Sequence, residues 1–376
     1  MSYPLYEHNG LVTLATEDFV LLRNPAEKSA PQLTPSVISH YNEGHQLYVV
    51  DSVYSGTGRS SELDVYQKLI KPLFEELGID HKYVSTASAD SISEFGKSLA
   101  GSACTVLFIS GDTSVNEFVN SLLETNEGTI NVGIIPLGTG NSIALSLGIT
   151  NVFVALQRFF RSIEARNPDP LYTYEATFPR GAYFIHQNVK THAIETPVRF
   201  VVVLSWAFHA ALVADSDTPE LRKHGVSRFR MAAENNLKLN TFYSGSCSVG
   251  GETYNGPFAY WLVTATSRFE EKFLILPKGN ILDPDLYLVL FGAQEDNSGK
   301  YIMDVMQQVY LEGSHVTNSS VAYKQIGAQT ELRLSLDSPD QRLCLDGAIV
   351  KVPQPGSISV RVAGHEKGKW KLYIIT

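Results

Sequence analysis

Two short runs rich in β-branched residues, 105–109 and 132–135, each end in a glycine-bearing loop, and each loop is followed by apolar residues at helical spacing. The loops read Ser110-Gly111-Asp112-Thr113-Ser114 and Pro136-Leu137-Gly138-Thr139-Gly140-Asn141. Such runs are buried strands, and a helix after each lets the next strand pair in parallel. Both loops then fall at the carboxyl edge of one sheet, where open α/β sheets bind ligands. A helix N-terminus at that edge offers unpaired backbone N–H groups and a partial positive charge, and glycine lets an anion approach closely. A phosphate cradle is the first expectation.

The same alternation begins at Gln46. A strand at 47–50 leads into Ser55-Gly56-Thr57-Gly58-Arg59, a third glycine loop, and then a helix over 63–77 with Gly78 as its C′ residue. Residues 81–85 read as a strand and 91–99 as a helix. The helix after Gly111 places Val115, Phe118, Val119 and Leu122 on one face. Further helices follow Asn141 and cover 151–163, so the segment predicts a parallel sheet with flanking helices.

After Arg166 the texture changes to short β-rich runs at 172–178, 200–205, 259–266, 286–291, 331–336, 357–362 and 370–375, with helices at 228–237 and 301–311. That is the pattern of an antiparallel β-sandwich. The expected fold class is α/β + β in two lobes with a cleft. Residues 1–45 form an N-terminal extension with one strand at 19–22, 46–165 an α/β nucleotide-binding lobe, and 166–376 a β-sandwich lobe with inserted helices. A chain of 376 residues, 44% of them hydrophobic, suits two cores, since single cores stop growing near ~250 to 300 residues.

A net charge of −9 with 30 scattered Lys and Arg argues against a nucleic-acid partner. Cys104, Cys247 and Cys344 lack paired or zinc-site spacing, which points to reduced thiols and a cytoplasmic protein. The N-terminus lacks the basic-then-apolar layout of a signal peptide. The longest apolar stretch, 200–214, contains Ser205 and His209, is too short to span a bilayer, and reads as a buried strand.

Several residues carry candidate chemistry. Asp112, at the tip of a phosphate loop, suits a proton acceptor or a magnesium ligand through water; as a bare motif it equally suits a helix cap. Ser114 and Glu117 have capping-box spacing. Thr218-Pro219-Glu220 opens a short helix closed by Gly225 and presents Arg222, with Arg228 beyond; two arginines suit a polyphosphate. His209 reads as a satisfied core histidine, and Asp346-Gly347 as a hairpin turn.

In this order the three loops, with Asn116, Glu117 and Asn120, resemble the catalytic domain shared by diacylglycerol, ceramide and sphingosine kinases. The stretch Ser205-Trp206-Ala207-Phe208, Asp215-Ser216-Asp217, Arg222, Gly225 and Arg228-Phe229 is similar to sphingosine kinases in particular, and Asp346-Gly347 stands where the family carries a late Asp-Gly-Glu. The resemblance implies an ATP-dependent lipid kinase acting on a primary hydroxyl of a sphingoid-base-like or diacylglycerol-like lipid. ATP would contact Ser55, Gly56, Thr57, Gly58, Ser110, Gly111, Thr113, Glu117, Gly138, Thr139, Asn141, Arg222, Arg228 and Asp346. Asp112 would be the general base, Asp112 and Asp346 would serve Mg2+, and Ala211 and Asp215 would meet the lipid. Membrane contact would be transient and peripheral. Three positions depart from the pattern: Thr113 replaces a glycine, which a positive φ would strain; Ala348 replaces an acidic residue; Ala211 replaces an aspartate. They motivate the alternative of a kinase-fold protein that binds nucleotide or lipid without turnover. A soluble kinase of the NAD-kinase type shares the glycine-aspartate loop but fits 205–228 poorly.

Overall fold

In a computed structural model, all residues are described except 26–29, 54–63, 166, 188, 240, 295–297 and 340. The chain divides into two compact units, Met1–Leu171 with His365–Thr376, and Tyr172–Gly364.

The first unit opens with an antiparallel sheet of β1 (Ser2–His8), β2 (Leu11–Thr16) and β3 (Leu21–Pro25), where sequence reasoning expects a single strand at 19–22. Strands β1 and β2 show little alternation, because Tyr3 stacks on Phe153 and Tyr6 meets Phe160 edge-on, so this sheet is packed on α6 (Val152–Ala165). Helix α1 (Pro35–Gly44) starts at Thr34, whose hydroxyl accepts from the Val37 amide.

The main sheet follows the expected alternation. Its strands are β4 (Gln46–Asp51), β5 (Lys82–Ser85), β6 (Ser102–Ser110) and β7 (Glu127–Pro136), parallel in the spatial order β5-β4-β6-β7. Helices α2 (Lys71–Leu77), α3 (Ser91–Ser98), α4 (Asp112–Ser121) and α5 (Ser142–Ser146) connect or flank them. Gly78 ends α2 at φ 66°, in the left-handed conformation that suits glycine. The chain leaves β4 for β5 on one side and reaches β6 on the other. That reversal opens a crevice at the carboxyl ends of β4 and β6.

One expected boundary is corrected. The run at 370–375 does not join the sandwich: strand Lys369–Ile374 pairs in parallel with β7, from Lys369 opposite Glu127 to Ile374 opposite Val132. Its Trp370 is buried, and the indole donates to the Leu123 carbonyl at 2.9 Å. An apolar strand completes whichever sheet offers a matching buried edge, and sequence pattern does not say which.

The second unit contains an eight-stranded and a six-stranded antiparallel sheet. Leu204, Trp206, Trp261, Val263 and Leu288 from the first form one core with Tyr174, Cys247, Leu334 and Ile358 from the second. The stretch 200–214 is not one strand. Val198–Phe200 lies in the six-stranded sheet, Val203–Ala207 in the eight-stranded sheet, and Phe208–Ser216 is helix α7. Helices α8 (Pro219–Arg222), α9 (Ser227–Leu239) and α10 (Ser298–Tyr310) follow. Ala207 makes the strand-to-helix turn at φ 61°, ψ −139°, a region costly for any residue with a Cβ.

Two variants probe these joints. Trp370→Ala should destabilise the protein by about 3 to 5 kcal/mol in chemical denaturation, through lost burial and an orphaned carbonyl. Ala207→Gly should stabilise by about 1 kcal/mol by relieving the turn.

Candidate active site

At the carboxyl edge of the first unit's sheet, the loops after β6 and β7 touch backbone to backbone. A Cβ on Gly138 would lie 2.2 Å from the Gly111 Cα, and one on Gly111 would lie 2.5 Å from the Gly140 carbonyl oxygen. Both positions require glycine for this approach alone; neither has positive φ. The Asp112 amide donates to the Gly140 carbonyl at 3.2 Å and the Leu137 amide to the Ser110 carbonyl at 3.3 Å. Asn141 folds its amide back on Gly138, accepting from its N–H at 3.1 Å and donating to its carbonyl at 2.9 Å.

Asp112 sits at this junction. It is the first residue of α4, is 8% exposed, and its carboxylate accepts from the Ser142 amide at 2.6 Å and the Ile143 amide at 3.0 Å. It therefore opens one helix with its backbone and caps the next, α5, with its side chain. Burial raises its proton affinity, and the two amides work in the opposite direction. The base and cap readings of Asp112 are compatible, since each oxygen keeps a second lone pair.

Around it the expectations divide. Thr113 is helical, exposed and free of positive φ, so no strain arises there. Ser114 lies inside α4 behind the N-cap Gly111, so Ser114 and Glu117 do not form a capping box. Glu117 instead lies half-buried within α4, and burial, reinforced by Asp90, pushes its carboxyl up to about 7. Ser55, Gly56, Thr57 and Gly58 fall outside the described residues. Sequence reasoning passed over Asp51, a buried carboxylate ending β4 at the same crevice, to which Tyr83 donates at 3.2 Å. Its signal was a lone acidic residue closing an apolar strand.

In the second unit, Arg222 and Arg228 converge on one carboxylate. Arg222 Nε donates to Asp217 Oδ1 at 2.6 Å, and Arg228 Nη1 lies 3.8 Å from that oxygen. Thr218 caps α8 by accepting from the Leu221 amide, as its spacing predicts. His209 is on α7 rather than in a strand; its Nδ1 bonds the Ser205 hydroxyl at 2.7 Å, and burial lowers its pKa to about 4. Asp215 is held by Arg342 at 2.6 Å and Asn236 at 2.9 Å, while Ala211 is packed into the sandwich core. A small hollow, which periodicity gave no means to foresee, is walled by Phe208, Leu237, Tyr243, Ala259 and Ile302 with Asn236 at its side; it has room for about one water.

Asp346, expected to serve Mg2+, is tied into the second unit. At φ 48°, with Gly347 at φ 90°, it makes the tight turn between Arg342–Leu345 and Ala348–Lys351. Its buried carboxylate accepts from the amides of Val201 at 2.6 Å, Val202 at 2.9 Å and Val203 at 2.7 Å. These bonds clasp the segment that passes between the two sheets, two of them on Oδ1 and one on Oδ2.

A diacylglycerol kinase catalytic domain model matches residues 46–169, the segment that carries the glycine loops and Asp112. That match spans about a third of the chain, and it is this segment that resembles the diacylglycerol kinase catalytic domain. It is 31% identical over 110 residues to sphingosine kinase B of Dictyostelium discoideum, which is 28% of this chain and 14% of that protein. It is 34% identical over 95 residues to sphingosine kinase 2 of Arabidopsis thaliana, 24% of this chain and 20% of the relative. The chain thus spans under a quarter of either sphingosine kinase. A longer match, 21% identical over 281 residues, covers 74% of this chain and 84% of the probable lipid kinase YegS-like of Shewanella frigidimarina. A diacylglycerol kinase structure from Bacillus anthracis superposes with a TM-score of 0.55 at 11% identity, covering 87% of this chain and 96% of the other. That likeness is one of fold, and it extends over both units.

Two outcomes are expected. Asp346→Ala should cost about 2 to 4 kcal/mol in denaturant unfolding, because three buried amides lose a charged acceptor. The raised Glu117 carboxyl opposes folding in its ionised form: the unfolded chain releases this proton near 4.5 and the folded one near 7. Its penalty is absent below the first value and complete above the second. Glu117→Gln should therefore raise Tm at pH 8 and leave it unchanged at pH 4.

Proposed function

We propose that the chain is an ATP-dependent lipid kinase that phosphorylates a primary hydroxyl of a sphingoid-base-like or diacylglycerol-like lipid, with Asp112 as general base. The observation that carries this is a buried carboxylate fixed at the joint of two glycine loops, at the N-terminus of a ten-residue helix. Nucleotide phosphates would lie against the backbone of Gly111, Gly138 and Thr139. Burial favours proton uptake by Asp112, and the Ser142 and Ile143 amides hold its oxygens in one orientation. As the lipid oxygen bonds to the γ-phosphorus and the bond to ADP breaks, the hydroxyl proton passes to Asp112; lipid phosphate and ADP leave, and the proton returns to water.

Magnesium would neutralise charge on the phosphates. Asp112 would hold it alongside two amide bonds and Asp346 alongside three, and no step is assigned to the metal. Among the described residues no helix is long and apolar enough to cross a membrane. We place the encounter with lipid at a cytoplasmic membrane surface, as a transient contact supported by exposed Leu239, Phe242 and Met303, close in sequence to residues walling the hollow. The alternative, binding without turnover, loses the strain argument at Thr113, keeps that side chain's place beside the phosphate loop, and keeps Ala348.

Asp112→Asn should lower the initial rate of lipid phosphate formation from labelled ATP at least ~100-fold while preserving the unfolding midpoint within about 1 kcal/mol. Undiminished label in the variant removes Asp112 from the role of base. An ATP-induced thermal shift without transfer to sphingoid bases, ceramide or diacylglycerol establishes the binding-protein alternative.

A further inference from the structure

Asp217, just after α7, gathers three basic side chains. Its Oδ1 takes Arg222 Nε at 2.6 Å and lies 3.8 Å from Arg228 Nη1, and its Oδ2 lies 3.5 Å from His186 Nδ1. One carboxylate faces two guanidinium groups, so the cluster is positive even with the imidazole neutral. Arg228 is under-satisfied: its Nε is buried without a hydrogen-bond partner, and burial and then Arg222 lower its pKa. Its guanidinium lies 4.9 Å from the Phe229 ring, which holds the fork in place but accepts no directed hydrogen bond. A buried guanidinium with an idle N–H is costly unless an anion completes its set.

A carboxylate and a phosphate offer similar oxygen pairs to an arginine fork, but a phosphate brings more charge and a further oxygen. The Arg222 side chain is 46% exposed, so its pairing with Asp217 is screened by water and open to exchange. We propose that Asp217 is a built-in competitor for a polyphosphate: it occupies Arg222 and Arg228 when no ligand is bound, and gives them up to a phosphate group while keeping His186 as its partner. The proposal rests on assigning phosphate binding to Arg222 and Arg228 and adds the residue that restrains it.

Titration calorimetry of the full chain with inorganic tripolyphosphate, and separately with ATP, tests this. Asp217→Asn should tighten tripolyphosphate about three- to tenfold, and adding Arg222→Gln should cancel the gain. His186→Gln should weaken binding, because the displaced carboxylate loses its second partner. Asp217→Ser carries the same expectation and serves if the asparagine variant misfolds. Unchanged or weaker binding in the folded Asp217 variant overturns the proposal, since it makes the carboxylate a positioning group. Absence of tripolyphosphate binding in both wild type and variant also overturns it. Tripolyphosphate binding that Asp217→Asn tightens, with no ATP binding at all, refutes the nucleotide reading while upholding the competitor.

Discussion

The contact of Gly111 with Gly138 is the constraint on which the candidate site depends. At that separation neither loop has room for a Cβ, so the two loops behave as one surface, closed by amide-to-carbonyl bonds between their backbones. Asp112 takes its position from this contact. Its main chain is bonded to Gly140 and its carboxylate to the first amides of α5, so α4, α5 and both loops share one rigid point. Much of the preorganisation a catalytic carboxylate needs is thus supplied by backbone geometry rather than by neighbouring side chains.

The aspartates of the molecule separate by the donors that hold them. Asp112 and Asp346 are buried and bonded to main-chain amides, which cannot swing away. Asp215 and Asp217 face arginines, which can exchange one anion for another. The same residue type serves as a fixed element in one setting and a replaceable one in the other. For Asp346 this distinction is decisive, because a carboxylate committed to three amides acts as a strap in the sandwich.

The β-α alternation was legible because each strand is a continuous apolar run and each helix keeps a 3.6-residue period. The two glycine loops were legible because each stands between an apolar strand and a helical pattern. The cap of α4 was misplaced because Ser114 and Glu117 satisfy a spacing rule, while Gly111 starts the helix three residues earlier without any side-chain signal. Residues 200–214 read as one strand because their apolar run hides a change of sheet and then a helix, and only the anchoring of Val201–Val203 by Asp346, over 140 residues away, shows where the chain turns. The hollow at α9 and α10 depends on Gly299 packing against the Leu237 carbonyl, a pairing that no local pattern encodes.

The return of strand Lys369–Ile374 to the first unit has a consequence for the order of assembly during synthesis. The indole of Trp370 bonds a carbonyl 247 residues earlier, and the strand covers an edge of β7 that leaves the ribosome long before it. The second unit is contiguous from Tyr172 to Gly364 and has all its parts as soon as that segment emerges, whereas the unit begun first is finished later. In the interval β7 presents an unpaired apolar edge, the kind of surface that chaperones shield and that invites pairing between nascent chains.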